Sequence, residues 1–178
     1  MNNYEFAILF LNNKYRGKSD TGTTDIVKLS DMFLEDVIEI LRALFNAEAA
    51  SLFAINHTSE EIYALKSAGA GTEDLNKITI KFGIGIVGHT VKDKTCIISN
   101  NPENDIRFNR GFDRKTGFKT RNLLSYPVIL NDKIVSVIEI INKKSDFSES
   151  DKEILNHIFN GIKELFQVAI TNNSYLRK

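Results

Sequence analysis

An α+β domain built around an antiparallel sheet is the fold class this sequence predicts, on three observations. Leu29, Phe33, Val37, Ile40, Leu41 and Leu44 recur at intervals of three and four. This is the stripe of an amphipathic helix over 26–46, with Asp31, Glu35, Asp36, Glu39 and Arg42 on its wet side. Two β-rich runs, 49–56 and 61–68, are separated only by a turn at 56–60, and strands so close in sequence pair as antiparallel neighbours. Two more, 123–130 and 134–141, flank Asn131-Asp132-Lys133, the best hairpin signal in the chain.

The 178 residues suffice for one domain with a proper core and are too few for two comfortable ones. Twenty-three basic residues balance 23 acidic ones, so no global field draws the chain to nucleic acid or to an anionic membrane. One cysteine, Cys96, excludes an intramolecular disulfide and a cysteine-built zinc site. Tyr4 to Leu11 is apolar, but it follows no basic region and falls far short of the ~20 residues that span a bilayer. A cytoplasmic protein is the expectation.

Taken in order, 4–11 reads either as a strand or as a short helix, and periodicity does not decide between them. Residues 12–25 are polar, with Gly17 and Gly22, and read as a loop or tether. We place the domain boundary there, giving an N-terminal extension over 1–25 and a domain over 26–178. After the first two strands, 77–82 alternates as a third, the glycine-rich GIGIVGH opens a short helix, and CIIS at 96–99 forms a fourth strand. Residues 100–105 form a turn cluster around Pro102. Pro127 demotes its strand toward an edge or an irregularity. Ser148 or Ser150 caps a last helix of ~20 residues, about 30 Å long, whose apolar surface is broader than a single seam.

Several motifs bear on chemistry. Gly83-Ile-Gly85-Ile-Val-Gly88 is formally GxGxxG after a strand. The next strand starts near Cys96, which leaves no room for the crossover helix of a dinucleotide fold, so a short helix with amides near a ligand is expected instead. His57, His89 and His157 show no metal-ligand spacing. Cys96, in an apolar strand, reads as an inert buried thiol. Glu139 interrupts the apolar run Val135 to Ile141, so its carboxylate must face water, meet a cation or bond a ligand. The polar segment 109–122, NRGFDRKTGFKTRN, supplies donors and acceptors in Asp113, Thr116, Thr120 and Arg121 around Gly117, the hardware for a sugar, a base edge or a phosphate.

With SLF at 51–53, GIGIVGH at 83–89, FNRGFDRKTGFKTRN at 108–122 and EIINK at 139–143, the chain resembles a GAF domain from about Leu29 to Ile170. The likeness is to the subgroup of cyclic-nucleotide phosphodiesterases and some bacterial adenylyl cyclases. The resemblance implies a central, mainly antiparallel sheet of about six strands with helices on both sides and a ligand buried between sheet and loops. Ser51, Ile86, Val87, Asp113, Thr116, Thr120 and Glu139 fall on pocket-lining positions of the cyclic-GMP-binding members. Ser67 and Ala68 stand where those members set a phenylalanine and an aspartate against the base, which places cyclic AMP slightly ahead of cyclic GMP. The subgroup's asparagine–lysine–phenylalanine–aspartate–glutamate signature appears as Asn142, Lys143, Phe147 and Asp151, with Lys152 in the glutamate's place. It implies a structural brace with a Lys143–Asp151 ion pair near the pocket.

The expected function is a regulatory sensor of a cyclic nucleotide, with no other cofactor. Residues 100–122 form its lid, and the terminal helix relays binding to an output domain or partner such as a nucleotidyl cyclase. The chain then serves as the input portion of a longer signalling protein. The alternative is a ligand-free module that forms a homodimer through helices near 30–45 and 150–175. An enzyme comes last: free methionine sulfoxide reductases share this fold but work through several cysteines, and Cys96 alone forms no disulfide relay.

Overall fold

The computed structural model describes residues 1–18, 23–71, 75 and 78–172. Its six strands are β1 (Ala47–Asn56), β2 (Glu61–Gly69), β3 (Thr79–Lys81), β4 (Ile97–Ser99), β5 (Leu123–Leu130) and β6 (Lys133–Lys143). They form one sheet in the order β3-β2-β1-β6-β5-β4, and every neighbouring pair is antiparallel. The β5–β6 hairpin turns at Asn131 and Asp132, both left-handed with φ of 50° and 62°. Left-handed backbone at both central residues matches the twist of paired strands. β4 pairs with β5 only from Leu123 to Ser125, so beyond that point the outer edge of β5 is open. Pro127, which has no N–H to donate, therefore costs no ladder bond on that side.

Helices cover both faces. On one lie α1 (Asn3–Tyr15), α2 (Thr23–Leu44), α5 (Glu149–Gly161) and α6 (Lys163–Asn172); on the other lie α3 (Gly85–Asp93) and the single turn-and-a-half α4 (Gly111–Thr116). Successive side chains of a strand face opposite sides, so each strand feeds two cores. Leu52, Ile138 and Ile140 join Leu34, Ile38 and Phe166 under α2 and α6. Phe53 and Val137 pack with Val87 and Val91 of α3, and Ala49, Leu123 and Ile141 pack with Ile86.

Two segments differ from the sequence reading. Residues 12–15, read as part of a polar loop, are the last turn of α1, residues 23–25 of that loop open α2, and residues 19–22 lie outside the described residues. The polar side chains that suggested a loop are spent on tertiary bonds. Lys14 Nζ and the Tyr15 hydroxyl each donate to Asp36 Oδ2 at 2.6 Å. Asn12 Nδ2 donates to the Gly161 carbonyl at 3.0 Å. A Cβ added at Gly161 would stand 2.7 Å from the Ile8 side chain, so glycine there allows α1 to approach α5 closely.

The last helix, read as one, bends at Ile162 between α5 and α6 (φ −115°, ψ 13°). Hydrogen bonds from Ile162 N–H to Ile158 and from Phe166 N–H to Ile162 continue on either side of the bend. The apolar stripe runs through the bend uninterrupted, which is why periodicity does not reveal it.

Because Leu11 is 1% exposed and Leu9 is 48% exposed on the same helix, Leu11→Ala is expected to cost about 2–5 kcal/mol of stability. Leu9→Ala should stay within about 0.5 kcal/mol. Urea unfolding of both variants checks this; indistinguishable midpoints would mean that α1 adds nothing to the core.

Candidate functional site

A cavity of about 300 Å³ lies between the α3 side of the sheet and the segment 108–120. Its floor is the centre of the sheet: Ser51 on β1 and Glu139 on β6, which are direct cross-strand partners, with Phe53 and Ile141 beside them. Ile86 and Val87 of α3 close one wall, and Phe108 and Phe118 close the roof. The strand alternation dictates this arrangement. With Ile138 and Ile140 committed to the helix core, Glu139 must point the other way.

Two polar groups of the floor have no partner. The Ser51 hydroxyl is buried without a hydrogen bond. The Glu139 carboxyl makes none with any described residue, and burial together with the nearby Asp113 pushes its pKa up to about 7. Leaving a buried hydroxyl unpaired costs free energy, which makes this floor the candidate place for a ligand that would supply the missing bonds.

The roof is closed on itself. Asp113 accepts the Thr120 N–H at 2.8 Å and the Thr120 hydroxyl at 2.9 Å. Its carbonyl takes the Gly117 N–H at 2.9 Å. Asp113 and Thr120 thus border the cavity while serving as one another's partners. The backbone of Thr116 ends α4, and its side chain lies outside those described. Ser67 sits opposite Ser51 but does not border the cavity. Ala68 pairs with Ala50 and belongs to the helix-side core. It cannot face a ligand in this cavity, because a one-residue step along a strand reverses the face.

The residues of the signature act on the roof's foundations. Lys143 Nζ bonds both carboxyl oxygens of Asp151 at 2.6 and 2.7 Å and lies 5.5 Å over the Phe147 ring. Asp151 also accepts the Ser148 N–H at 2.7 Å, fixing the start of α5. Asn142, left-handed at φ 58°, accepts the Arg121 N–H at 2.7 Å and donates to the Lys119 carbonyl at 2.9 Å and to Glu48 at 2.7 Å. Arg121 completes the ring with an ion pair to Glu48 at 2.5 Å. None of these residues borders the cavity.

Three further residues of this frame carry no signal beyond their membership of strand or turn segments. Glu48 joins Arg121 to Asn142. Asn100 holds both the N–H and the carbonyl of Phe147, and Asn122 donates to the carbonyls of Lys143 and Ser145.

The glycine-rich motif turns β3 into α3. A Cβ at Gly88 would stand 2.7 Å from the Lys81 carbonyl, so the helix can lie that close to the strand only with glycine there. Ile84, the residue before α3, gives no side-chain cap, and Gly85, Ile86 and Val87 of the helix's first turn border the cavity. Cys96 is part-buried, and burial pushes its thiol up to about 11, far from a reactive thiolate. His57 bonds the Ile134 carbonyl and His157 stacks on Tyr4. No helix among the described residues is long and apolar enough to cross a membrane.

A family model described as GAF domain matches residues 31–162. The chain is 32% identical over 162 residues to a cGMP-specific 3',5'-cyclic phosphodiesterase of Drosophila sechellia, a match covering 79% of this chain and 13% of that protein. It is 27% identical over 139 residues to the probable 3',5'-cyclic phosphodiesterase pde-5 of Caenorhabditis elegans, covering 72% and 19% respectively. The chain thus spans less than a fifth of the length of these curated relatives. Among solved structures it resembles the GAF domain of an Acinetobacter phosphoenolpyruvate-protein phosphotransferase (TM-score 0.73, 16% identity, 96% of this chain and 95% of that one). It also resembles the free methionine-R-sulfoxide reductase of Neisseria meningitidis (TM-score 0.73, 13% identity, 94% and 90%).

The state of Glu139 has a measurable signature. Below its ordinary value of 4.5 the carboxyl is protonated folded or unfolded, and it costs nothing. As pH rises from there to about 7, the unfolded chain has released the proton while the fold retains it, so this group's contribution to stability falls across that window and is level above it. Glu139→Gln should therefore stabilise the protein by about 1–3 kcal/mol at pH 8 and by less than about 0.5 kcal/mol at pH 4. Denaturant melts at the two pH values decide it; a pH-independent difference would show that the carboxyl is not held in its neutral form.

Proposed function

The chain belongs to the GAF domain family, and we propose that it is a regulatory sensor whose cavity binds a cyclic nucleotide. The observation that carries this reading is the pairing, on the cavity floor, of a buried Ser51 hydroxyl without a hydrogen bond and a part-buried Glu139 carboxyl that bonds no described residue. A nucleotide has the matching chemistry: its ribose hydroxyl and ring or exocyclic N–H groups donate to acceptors of this kind. Its phosphate suits the uncapped start of α3, where backbone N–H groups favour an anion. The volume lies at the lower end of the range for small-molecule sites. The resemblance to cyclic phosphodiesterases supports the same ligand class, although the hydrolytic activity is that of much longer proteins.

Ser67 and Ala68 do not border the cavity and so give no preference for adenine over guanine. The base is a matter for titration. Relay would run through the frame already described. Ligand contact with the roof pulls on 119–122, Asn142 ties that segment to the end of β6, and Lys143–Asp151 ties β6 to α5. A ligand moves such a frame only by preferring one of its states.

A second reading concerns self-association. Phe6, Leu9 and Phe10 on the outer face of α1 are 59%, 48% and 42% exposed. Phe6 and Phe10 border a groove with Ile40 and Leu44 of α2. A contiguous apolar face of this kind suits a homodimer built on these helices.

Isothermal titration with cyclic AMP and cyclic GMP tests the sensor. Binding of at least one is expected, weakened about 10- to 100-fold in Ser51→Ala and Glu139→Ala; no heat and no thermal shift from either nucleotide at millimolar concentration would refute it. For self-association, sedimentation should show a dimer that dissociates in Phe6→Asp/Phe10→Asp, and a monomeric wild-type chain would discard that reading.

A further inference from the structure

The cavity raises a question that its lining does not answer. Among the described residues, the only charged side chains bordering it are Asp113 and Glu139, both acids. A ligand bearing a phosphate meets no lysine, arginine or histidine among the described residues that line it. Immediately outside, an open groove shares Ile84, Gly85, Phe108, Asn109 and Gly111 with the cavity and is its outer mouth. Among the described residues, the groove is bordered by His89, Arg107, Arg110 and Arg114 and by no carboxylate. The site is therefore polarised, acidic within and basic at the entrance.

The arginines differ in how far they are neutralised. Arg107 is committed to Asp105 by paired bonds of 2.9 and 2.8 Å, and His89 lies 3.9 Å from Asp93. Arg110 spends one N–H on the Glu103 carbonyl, which leaves its charge uncompensated. Arg114 makes no ion pair or side-chain hydrogen bond among the described residues. These last two are four positions apart, joined by a helical bond from the Arg114 N–H to the Arg110 carbonyl at 3.1 Å, so they share one face. Like charges at that spacing repel, and an anion between them removes the penalty.

We propose that this groove is an anion subsite: Arg110 and Arg114 draw in a phosphate-bearing ligand and hold its anionic end at the mouth, leaving its uncharged, hydrogen-bond-donating end to face Glu139 and Ser51. Exposed guanidinium groups act over roughly a Debye length, about 10 Å at 0.1 M salt, so capture is strongest at low ionic strength. The subsite also sets the polarity of binding, because the reverse orientation would take the phosphate away from the arginines and toward the Asp113 side chain. This rests on the reading of the cavity as a ligand site, but the subsite itself can be tested without it.

In one arm, inorganic pyrophosphate is titrated into ¹⁵N-labelled wild type and the folded Arg110→Gln/Arg114→Gln variant, at low ionic strength matched with chloride. Saturable amide shifts at 83–85 and 110–114 are expected in the wild type and not in the variant. No saturation in the wild type, or equal shifts in both proteins, overturns the subsite.

In the other arm, cyclic AMP and adenosine are compared by calorimetry. The variant should lose about tenfold in affinity for cyclic AMP at low salt and less than about twofold for adenosine. Equal effects on the two ligands would mean that the arginines do not meet the phosphate, and would overturn the proposed orientation. Should the wild type bind neither nucleotide, the sensor reading fails, and the pyrophosphate arm alone decides the subsite.

Discussion

Along β6 successive side chains face opposite sides of the sheet, and this strand lies at the centre, between β1 and β5. Ile138 and Ile140 must go into the helix core, because that is where the largest cluster of buried apolar side chains lies. The geometry leaves Glu139 no choice but the other face. The neighbours follow the same constraint: Ser51 and Ser125 are its cross-strand partners, so a polar row crosses three strands of an otherwise apolar floor. Ser125 is satisfied by Thr90 of α3 at 2.8 Å. Ser51 and Glu139 are not, and the cavity opens over those two.

The roof obeys a different logic. Phe108 and Phe118 pack it on the apolar floor, Asp113 and Thr120 close it on itself, and Asn142 ties its far end through Lys119 and Arg121. The cavity thus lies between a floor set in the centre of the sheet and a roof that is a separate segment of the chain.

Much of this was legible in the sequence, and the residues explain where legibility ended. The β5–β6 hairpin announced itself through Asn131-Asp132 between apolar runs. The helical stripe of α2 was unambiguous, and Glu139 stood out as a charge where only apolar residues belonged. Residues 12–15 were misread because Asn12, Lys14 and Tyr15 look like loop residues until their partners, Gly161 and Asp36, are known from far along the chain. Ala68 was placed at the ligand by resemblance, although its face depends on register. The bulge between Leu52 and Phe53 shows how locally register is set. Glu48 and Arg121 are 73 positions apart, a separation at which no pattern in one sequence pairs two residues.

The strand order carries a consequence for how the chain assembles. β1, β2 and β3 form from neighbours in sequence, and so do β4, β5 and β6; only β1 against β6 joins the two groups. Closing that seam brings together Ser51 and Glu139 across most of the domain's length, and contacts between distant residues bear the largest loop-closure entropy. The cavity floor is that seam. A molecule bound there has no site on either half alone, so its binding energy is linked to a long-range step of folding.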